Sequence, residues 1–186
     1  GTVLLVNEKD GTIRKQAKER GLVRGTAGNT ILLTSAESVT TLDAQSLEVR
    51  HTLTIGSRIN QARLYDDGAE ILIGSEDGLI RWWNGLAGTL TRILPLGTSV
   101  SDCHRAEDGS LLFAFDKNSV RSTWDLRTGA LINRTGGTRV RVSSLAVGSD
   151  TSSFLTAQAD GSIRVWLTQG APNRQILDSG DSAIVD

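Results

Sequence analysis

Cysteine and proline are scarce in this chain, and both limit the kinds of structure that it can form. Cys103 is the single cysteine, so no disulfide can form within the chain, and an intracellular protein of the cytoplasm or nucleus is expected. With one cysteine, the cysteine pairs of structural zinc sites are also excluded. Two prolines against 20 glycines favour many short strands joined by tight turns.

An excess of charge of one sign is also lacking. The formal net charge is −1, so no general electrostatic attraction draws the chain to nucleic acid or to anionic membranes. No apolar run approaches the length of a transmembrane helix, and no secretory signal is visible. We therefore expect other proteins as partners, nucleic acid only as an indirect partner, and no membrane.

The residue patterns typical of enzymes and metal centres are missing as well. The two histidines, His51 and His104, fall in different repeats. Cys103 precedes His104, but side chains alternate along a strand, so the two should point to opposite faces. No phosphate-binding glycine loop and no nucleophile elbow occurs. We expect a protein that is not an enzyme, with no catalytic residue, no metal and no cofactor.

An eight-residue phrase recurs along the chain. Residues 159–166 read Ala-Asp-Gly-Ser-Ile-Arg-Val-Trp, residues 76–83 read Glu-Asp-Gly-Leu-Ile-Arg-Trp-Trp, and a weaker copy begins at Lys9. Asp-Gly favours a tight hairpin turn, and the residues that follow it are β-prone. The phrase therefore predicts a hairpin tip and the strand that leaves it.

The spacing of the phrase indicates a repeat. The residues at its tryptophan position lie 41, 41 and 42 residues apart: Leu42, Trp83, Trp124 and Trp166. A second marker keeps the same register, because three apolar residues each lie 18 residues before the aspartate position: Ile59, Val100 and Val142. A period of about 40–45 residues is that of a four-stranded propeller blade.

This repeat resembles the WD-repeat (WD40) family of β-propellers. The resemblance is carried by the two phrases and by Trp124-Asp125, the one Trp-Asp pair. The chain departs from the family where Asn84 and Leu167 follow the tryptophan, and it has no Gly-His pair. The family's His–Asp–Ser/Thr–Trp hydrogen-bond tetrad is therefore incomplete in every repeat. The resemblance implies a propeller whose members usually act as rigid platforms inside larger assemblies.

The predicted architecture is one all-β, WD40-like propeller domain with about five four-stranded blade units: residues 1–26, 27–68, 69–109, 110–150 and 151–186. Each unit begins with a near-continuous apolar strand, which suits a strand covered on both faces. Residues 22–24 could form the outer strand of the first unit, which leaves the junction before residue 31 one strand short. Either the chain is an arc or fragment of a seven-bladed ring, or residues 182–185 pair beside residues 3–6 and close a smaller ring.

The recurring aromatic and acidic positions are predicted to be structural. Core packing is expected at one tryptophan per repeat: Trp83, Trp124 and Trp166. Trp82 points the opposite way and either packs against the neighbouring blade or anchors a partner at the surface. The aspartates of the phrase should bond the backbone of their own turns: Asp10, Asp77 and Asp160. Gly78 and Gly161 should have positive φ, as type I′ turns require.

The recurring arginines are the best candidates for partner binding. The same place in three repeats is held by Arg14, Arg81 and Arg164, with Arg121 in a related place, and Arg139 and Arg141 form a short basic loop. Ion pairs within the protein would explain them without any function. Alternatively they form a basic rim that binds an acidic or phosphorylated segment.

Three functions fit these observations. The first is a non-catalytic protein–protein interaction scaffold, a WD-repeat subunit of a larger intracellular assembly. The second is a ribonucleoprotein scaffold that uses the arginine-rich surface, and steep salt dependence of RNA binding would favour it. The third is a propeller enzyme or small-ligand binder at the central channel, for which no cluster of acids or histidines is visible.

Overall fold

The computed structural model describes residues 2–19, 21–136, 140–147 and 153–167, together with the backbone of residues 175–178. The chain divides into two compact units, residues 1–93 and 94–186. Apart from one short 3-10 turn at Asp66–Gly68, every element in the described part is a β-strand. The fold class predicted from the sequence, all-β, is confirmed.

The first unit contains three sheets in its described residues, and the strands of each sheet follow one another in the chain. Sheet 1 has two strands, β1 (Val3–Val6) and β2 (Ile13–Ala17). Sheet 2 has four: β3 (Leu22–Ala27), β4 (Thr30–Thr34), β5 (Ser38–Asp43) and β6 (Val49–Thr54). Sheet 3 also has four: β7 (Ile59–Tyr65), β8 (Glu70–Ser75), β9 (Leu79–Asn84) and β10 (Thr89–Pro95).

The second unit contains two four-stranded sheets of the same kind in its described residues. Sheet 4 consists of β11 (Val100–Arg105), β12 (Leu111–Asp116), β13 (Arg121–Asp125) and β14 (Leu131–Thr135). Sheet 5 consists of β15 (Val142–Val147), β16 (Ser153–Gln158), β17 (Ser162–Leu167) and β18 (Gln175–Asp178). Successive strands in both sheets pair antiparallel.

In sheets 2, 3 and 4 the second strand forms the centre of the core. All five residues of β4 are buried, and β8 and β12 are buried at every position but the first. Such strands pack on both faces, which is why their sequences are apolar without alternation. Sheets 2 and 3 share one cluster of buried residues: Leu32, Val39, Leu53, Ile59, Ala62, Ile71 and Ile73. Sheets 4 and 5 share another: Ala106, Phe113, Phe115, Val142, Leu145 and Phe154.

The two faces of sheet 5 differ in burial. Phe154 is 1% exposed and lies in the core, whereas its neighbour Leu155 is 43% exposed and Leu167, on the same face as Leu155, is 38% exposed. Adjacent residues of a strand point to opposite faces. In its described residues, sheet 5 is therefore packed on one face and open on the other.

The strand β3 corrects one sequence prediction. Residues 22–24 belong to β3, which pairs with β4 as the first strand of sheet 2, and they do not form the outer strand of the first unit. Gly28, with φ 52 in the two-residue turn between β3 and β4, makes this hairpin possible because a left-handed turn residue matches the strand twist. The predicted pairing of residues 182–185 lies outside the described residues.

The predicted Asp-Gly turns are present, with a different turn type. Gly78 and Gly161 have φ 79 and 83, as predicted, but Asp77 and Asp160 do not have positive φ. A type I′ turn requires positive φ at both central residues, so that assignment was wrong. Instead, the amides of Gly78 and Gly161 bond the carbonyls of Ser75 and Gln158. This is the three-residue hairpin loop, a type I turn that ends in a left-handed glycine.

Candidate functional site

The described candidate arginines, Arg81, Arg141 and Arg164, lie near one end of the sheets that carry them. In a meander of antiparallel strands, the turn between the second and third strands lies at the same end as the beginning of the first strand. Backbone hydrogen bonds connect chain segments at this end. In the first unit the amide of Ile59 donates to the carbonyl of Ala36 at 2.7 Å, and in the second the amide of Ala159 donates to the backbone carbonyl of Arg141 at 2.9 Å. We call these regions the turn ends: residues 35–38, 57–59 and 76–78 in the first unit, and residues 117–121, 140–142 and 158–164 in the second.

Arg81 belongs to a closed hydrogen-bond network. Its Nη2 donates to Asp77 Oδ2 at 2.6 Å and its Nη1 to Ser75 Oγ at 2.7 Å, while Ser75 Oγ donates to Asp77 Oδ1 at 2.7 Å. Burial alone would raise the pKa of Asp77, but bonds from Arg81, Ser75 and the amide of Leu79 outweigh it and lower the pKa. The side chain of Arg81 is 13% exposed. Arg81 is thus engaged in an intramolecular ion pair, the structural alternative considered for it.

The equivalent residues of sheet 5 are connected differently. Asp160 Oδ1 accepts Ser162 Oγ at 2.7 Å and the amide of Ser162 at 3.0 Å, and these bonds lower the pKa of Asp160. Gln158 stands where sheet 3 has Ser75. Nε and Nη1 of Arg164 are buried, and neither has a hydrogen-bond partner in the described part of the chain. Arg164 therefore acts on Asp160 through its charge, whereas Arg81 also forms hydrogen bonds to Asp77.

Arg121 lies inside the second unit beside these residues. It is 8% exposed, and its guanidinium carbon lies 5.0 Å from the ring centre of Trp166 and 5.4 Å from that of Phe154. Cation–π contact with two rings favours the charge, while burial lowers the pKa of Arg121. The sequence predicted that Arg121 recurs with Arg81 and Arg164, but it did not predict that Arg121 is buried.

The turn of sheet 4 depends on two residues that the sequence analysis missed. Asp116 is 1% exposed; its Oδ1 accepts the amides of Asn118 and Val120 at 2.8 Å each, and its Oδ2 accepts Thr98 Oγ1 at 2.7 Å. Ser119 takes the place of the turn glycine with φ 59. Its hydroxyl donates to the Val140 carbonyl at 3.0 Å and accepts the Val142 amide at 3.1 Å. These bonds tie the turn to the start of β15.

The four tryptophans are all at least partly buried. Trp124 is 4% exposed, Trp83 and Trp166 pack against the two core clusters, and Trp166 Nε1 donates to Thr156 Oγ1 at 3.0 Å. Trp82 is 8% exposed and stacks on Tyr65 with ring centres 6.5 Å apart. This burial corrects the idea of Trp82 as a surface anchor, because a partner could not reach most of its ring.

The remaining aspartate and the basic loop lie at the surface. Asp10 is exposed and accepts the amide and hydroxyl of Thr12 at 2.9 and 2.7 Å, which lower its pKa, so it bonds its own turn as predicted. Arg141 is exposed at the turn end of the second unit. Arg139 lies outside the described residues.

A cleft of about 670 Å³ opens at the turn end of the first unit. Its charged lining is balanced, with two arginines and two glutamates: Arg24, Arg58, Glu37 and Glu76. Arg24 Nε donates to Thr34 Oγ1 at 2.8 Å. A lining of both signs gives no preference for an anionic ligand, so this cleft does not serve as the basic site suggested by the sequence.

The histidines and the cysteine take part in local packing. Nε2 of His51 bonds the carbonyl of Leu86 at 2.9 Å, and Nδ1 of His104 bonds that of Arg105 at 2.8 Å. Cys103 is fully buried, whereas His104 is partly exposed, as expected for neighbours on opposite faces. Among the residues that the structure describes, no three His, Cys, Asp or Glu side chains form a group that could hold a metal. The described chain also contains no helix with the length and apolar character needed to cross a membrane.

Together these features define an all-β protein built from repeated four-stranded antiparallel sheets of the propeller-blade type. Residues 130–166 match the WD40 family, described as WD domain, G-beta repeat. The matched repeat begins just before β14 and ends at Trp166 in β17, so it supplies the last strand of sheet 4 and the first three strands of sheet 5. The chain therefore carries a WD repeat, as the resemblance of its sequence indicated. WD40 domains typically serve as platforms for protein interactions.

Proposed function

We propose that the chain is a non-catalytic platform for protein–protein interaction within a larger intracellular assembly, and that the turn end of its second unit binds an acidic or phosphorylated segment. The observation that carries this proposal is the difference between two equivalent arginines. Arg81 is paired with Asp77, whereas Arg164 has two buried nitrogens without a hydrogen-bond partner in the described part of the chain. The charge of Arg164 helps to lower the pKa of Asp160, but its two nitrogens without a hydrogen-bond partner can still donate to an external acid.

The surroundings of Arg164 support the same function. Arg121 lies over the ring of Trp166, which belongs to the same strand as Arg164, and Arg141 is exposed at the turn end of the second unit. Nearby carboxylates are already engaged, because Asp160 accepts Ser162 and Asp116 accepts two backbone amides. The turn end of the second unit is thus rich in cationic donors, whereas the charged lining of the first unit's cleft is balanced.

Affinity purification from cells tests the platform function. The tagged chain should copurify with at least one protein in a fixed ratio, and the complex should survive nuclease treatment. Purification of nucleic acid alone, with steep salt dependence, would instead support the ribonucleoprotein alternative.

Two single-charge variants then locate the contact. Arg141→Gln lies at the turn end of the second unit, and Arg127→Gln is a matched control because Arg127 is exposed in the turn between β13 and β14, at the opposite end of sheet 4. Loss of the copurified protein in the first variant only supports the proposed surface. Equal loss in both variants would mean that total charge, rather than this surface, governs binding.

A further inference from the structure

Two polar side chains of sheet 5, Arg164 and Gln158, lie on the face of that sheet that Arg121 of sheet 4 also contacts. The pairing of β16 with β17 places Phe154 opposite Trp166 and Thr156 opposite Arg164. Because side chains alternate along a strand, Gln158 lies on the same face as Thr156 and Phe154. Arg121 of β13 lies over the Phe154 and Trp166 rings on that face. Arg121, Arg164 and Gln158 therefore lie within about two strand rungs of one another.

Five buried polar atoms of this group have no hydrogen-bond partner among the described residues. Gln158 is 1% exposed, and neither its Oε1 nor its Nε2 has a hydrogen bond. Three arginine nitrogens are also buried without a hydrogen bond: Nε of Arg121, and Nε and Nη1 of Arg164. A buried donor without an acceptor costs on the order of 1–3 kcal/mol, and a charged one more. Such a group is unfavourable by itself and becomes favourable when an anion binds.

The chemistry of the group selects a carboxylate. Apart from Gln158 Oε1, which is an acceptor, the unpaired buried atoms of the group are all donors, and the planar fork of an arginine matches the two oxygens of a carboxylate. The guanidinium carbon of Arg121 lies 5.0 Å from the centre of the Trp166 ring and 5.4 Å from that of the Phe154 ring, so both rings contact this cation. A nearly dry site disfavours a doubly charged phosphate, because the desolvation cost rises steeply with charge.

We propose that Arg121, Arg164 and Gln158 form a specific pocket for one Asp or Glu side chain of a partner peptide. This proposal rests on the proposed interaction function and gives the chemistry of its contact. Arg164, which is only partly buried, is the side from which the carboxylate enters. Its Nε and Nη1 donate to the two carboxylate oxygens, and the amide nitrogen of Gln158 donates from within.

Peptide titration tests the pocket directly. The purified chain is titrated with a short glutamate-rich peptide, with its glutamine counterpart and with its phosphoserine counterpart, while tryptophan fluorescence and heat of binding are recorded. The glutamate peptide should bind and change the emission of Trp166, and the glutamine peptide should not bind. Binding of the phosphoserine peptide alone would overturn the assignment to a carboxylate.

Matched variants identify the residues. Arg164→Gln should weaken binding of the glutamate peptide by roughly 10–100-fold, the effect of losing a charged hydrogen-bond pair. Arg127→Gln removes the same charge far from the pocket and should change binding less than about twofold. Equal effects of both variants would refute the pocket, even if the chain still binds proteins elsewhere.

Gln158→Glu provides an internal acid of nearly unchanged shape. It should raise the midpoint of thermal unfolding and abolish binding of the glutamate peptide, because the new carboxylate occupies the guanidiniums. A lower unfolding midpoint, or unchanged peptide binding, would refute the pocket. If the Gln158→Glu variant still copurifies with its cellular partner, the pocket is refuted and the platform function is left intact.

Discussion

Replacement of Phe154 by alanine should separate the packed face of sheet 5 from its open face. Phe154 is 1% exposed, and its ring centre lies 4.7 Å from that of Phe113, 6.0 Å from Trp166 and 6.2 Å from Phe115. Removal of a buried phenylalanine typically costs about 3–5 kcal/mol. Each aromatic pair contributes roughly 0.5–1.5 kcal/mol beyond area burial, so we expect a loss near the upper end for Phe154→Ala.

Leu155→Ala is the matched control, because it changes the adjacent residue on the opposite face. Leu155 is 43% exposed, so much of its side chain gains nothing from folding. We expect it to lose less than about 1.5 kcal/mol, in the range of partly exposed apolar positions. A difference of at least about 2 kcal/mol between the two variants follows.

Urea denaturation of the two variants gives the measurement. Intrinsic tryptophan fluorescence reports on Trp166 beside Phe154, and far-ultraviolet circular dichroism reports on the sheets as a whole. The free energy of unfolding should be compared at unchanged slope against urea, so that both variants refer to the same transition. Equal losses for the two variants would refute the assignment of faces. A loss below about 1 kcal/mol for Phe154→Ala would refute the proposed packing of sheets 4 and 5.

Three further predictions follow from the contacts of single residues. Asp77→Asn should lower the free energy of unfolding by about 1–3 kcal/mol at neutral pH. The pKa of Asp77 in the folded protein lies below its usual 3.8. The difference from the unmodified chain, measured by urea denaturation, should therefore disappear as the pH falls through that lower pKa. Ser119→Ala keeps positive φ without its two hydrogen bonds and should cost about 1–3 kcal/mol, more than Ser119→Gly, by thermal unfolding. Trp82→Ala should cost about 3–5 kcal/mol, at least as much as Trp166→Ala, in calorimetric scans.

The sequence predicts the features that depend on local chemistry. Apolar runs marked the buried second strands, and Asp-Gly marked the turns, because a glycine with positive φ is needed there whatever surrounds it. The turn of sheet 4 escaped this reasoning. Ser119 takes the left-handed conformation without being glycine, and its hydroxyl bonds to Val140 and Val142, distant in sequence, support that conformation.

The candidate pocket could be predicted only in part. Arg164 was identified by its place in the repeat, and Arg81 by the same reasoning, yet one is paired and the other is not. Ser75 accepts a hydrogen bond from Arg81, whereas Gln158 at the equivalent position has no side-chain hydrogen bond in the described part of the chain. No pattern in the sequence reports the burial of Arg121 against the Phe154 and Trp166 rings, because that burial depends on how sheets 4 and 5 face each other. For Trp82 the sequence left packing and surface anchoring open, and its burial agrees with packing.

The hydroxyl of Ser119 also determines how the second unit exchanges its amide hydrogens. The Val142 amide donates to this hydroxyl, so its protection from solvent depends on the turn of a different sheet. That amide can exchange only when the start of β15 separates from the turn of sheet 4. Opening of sheet 4 at this end must therefore deprotect sheet 5, which makes the two sheets one cooperative unit in hydrogen exchange at this boundary. In Ser119→Gly, Val142 should exchange faster than the amides in the middle of β15.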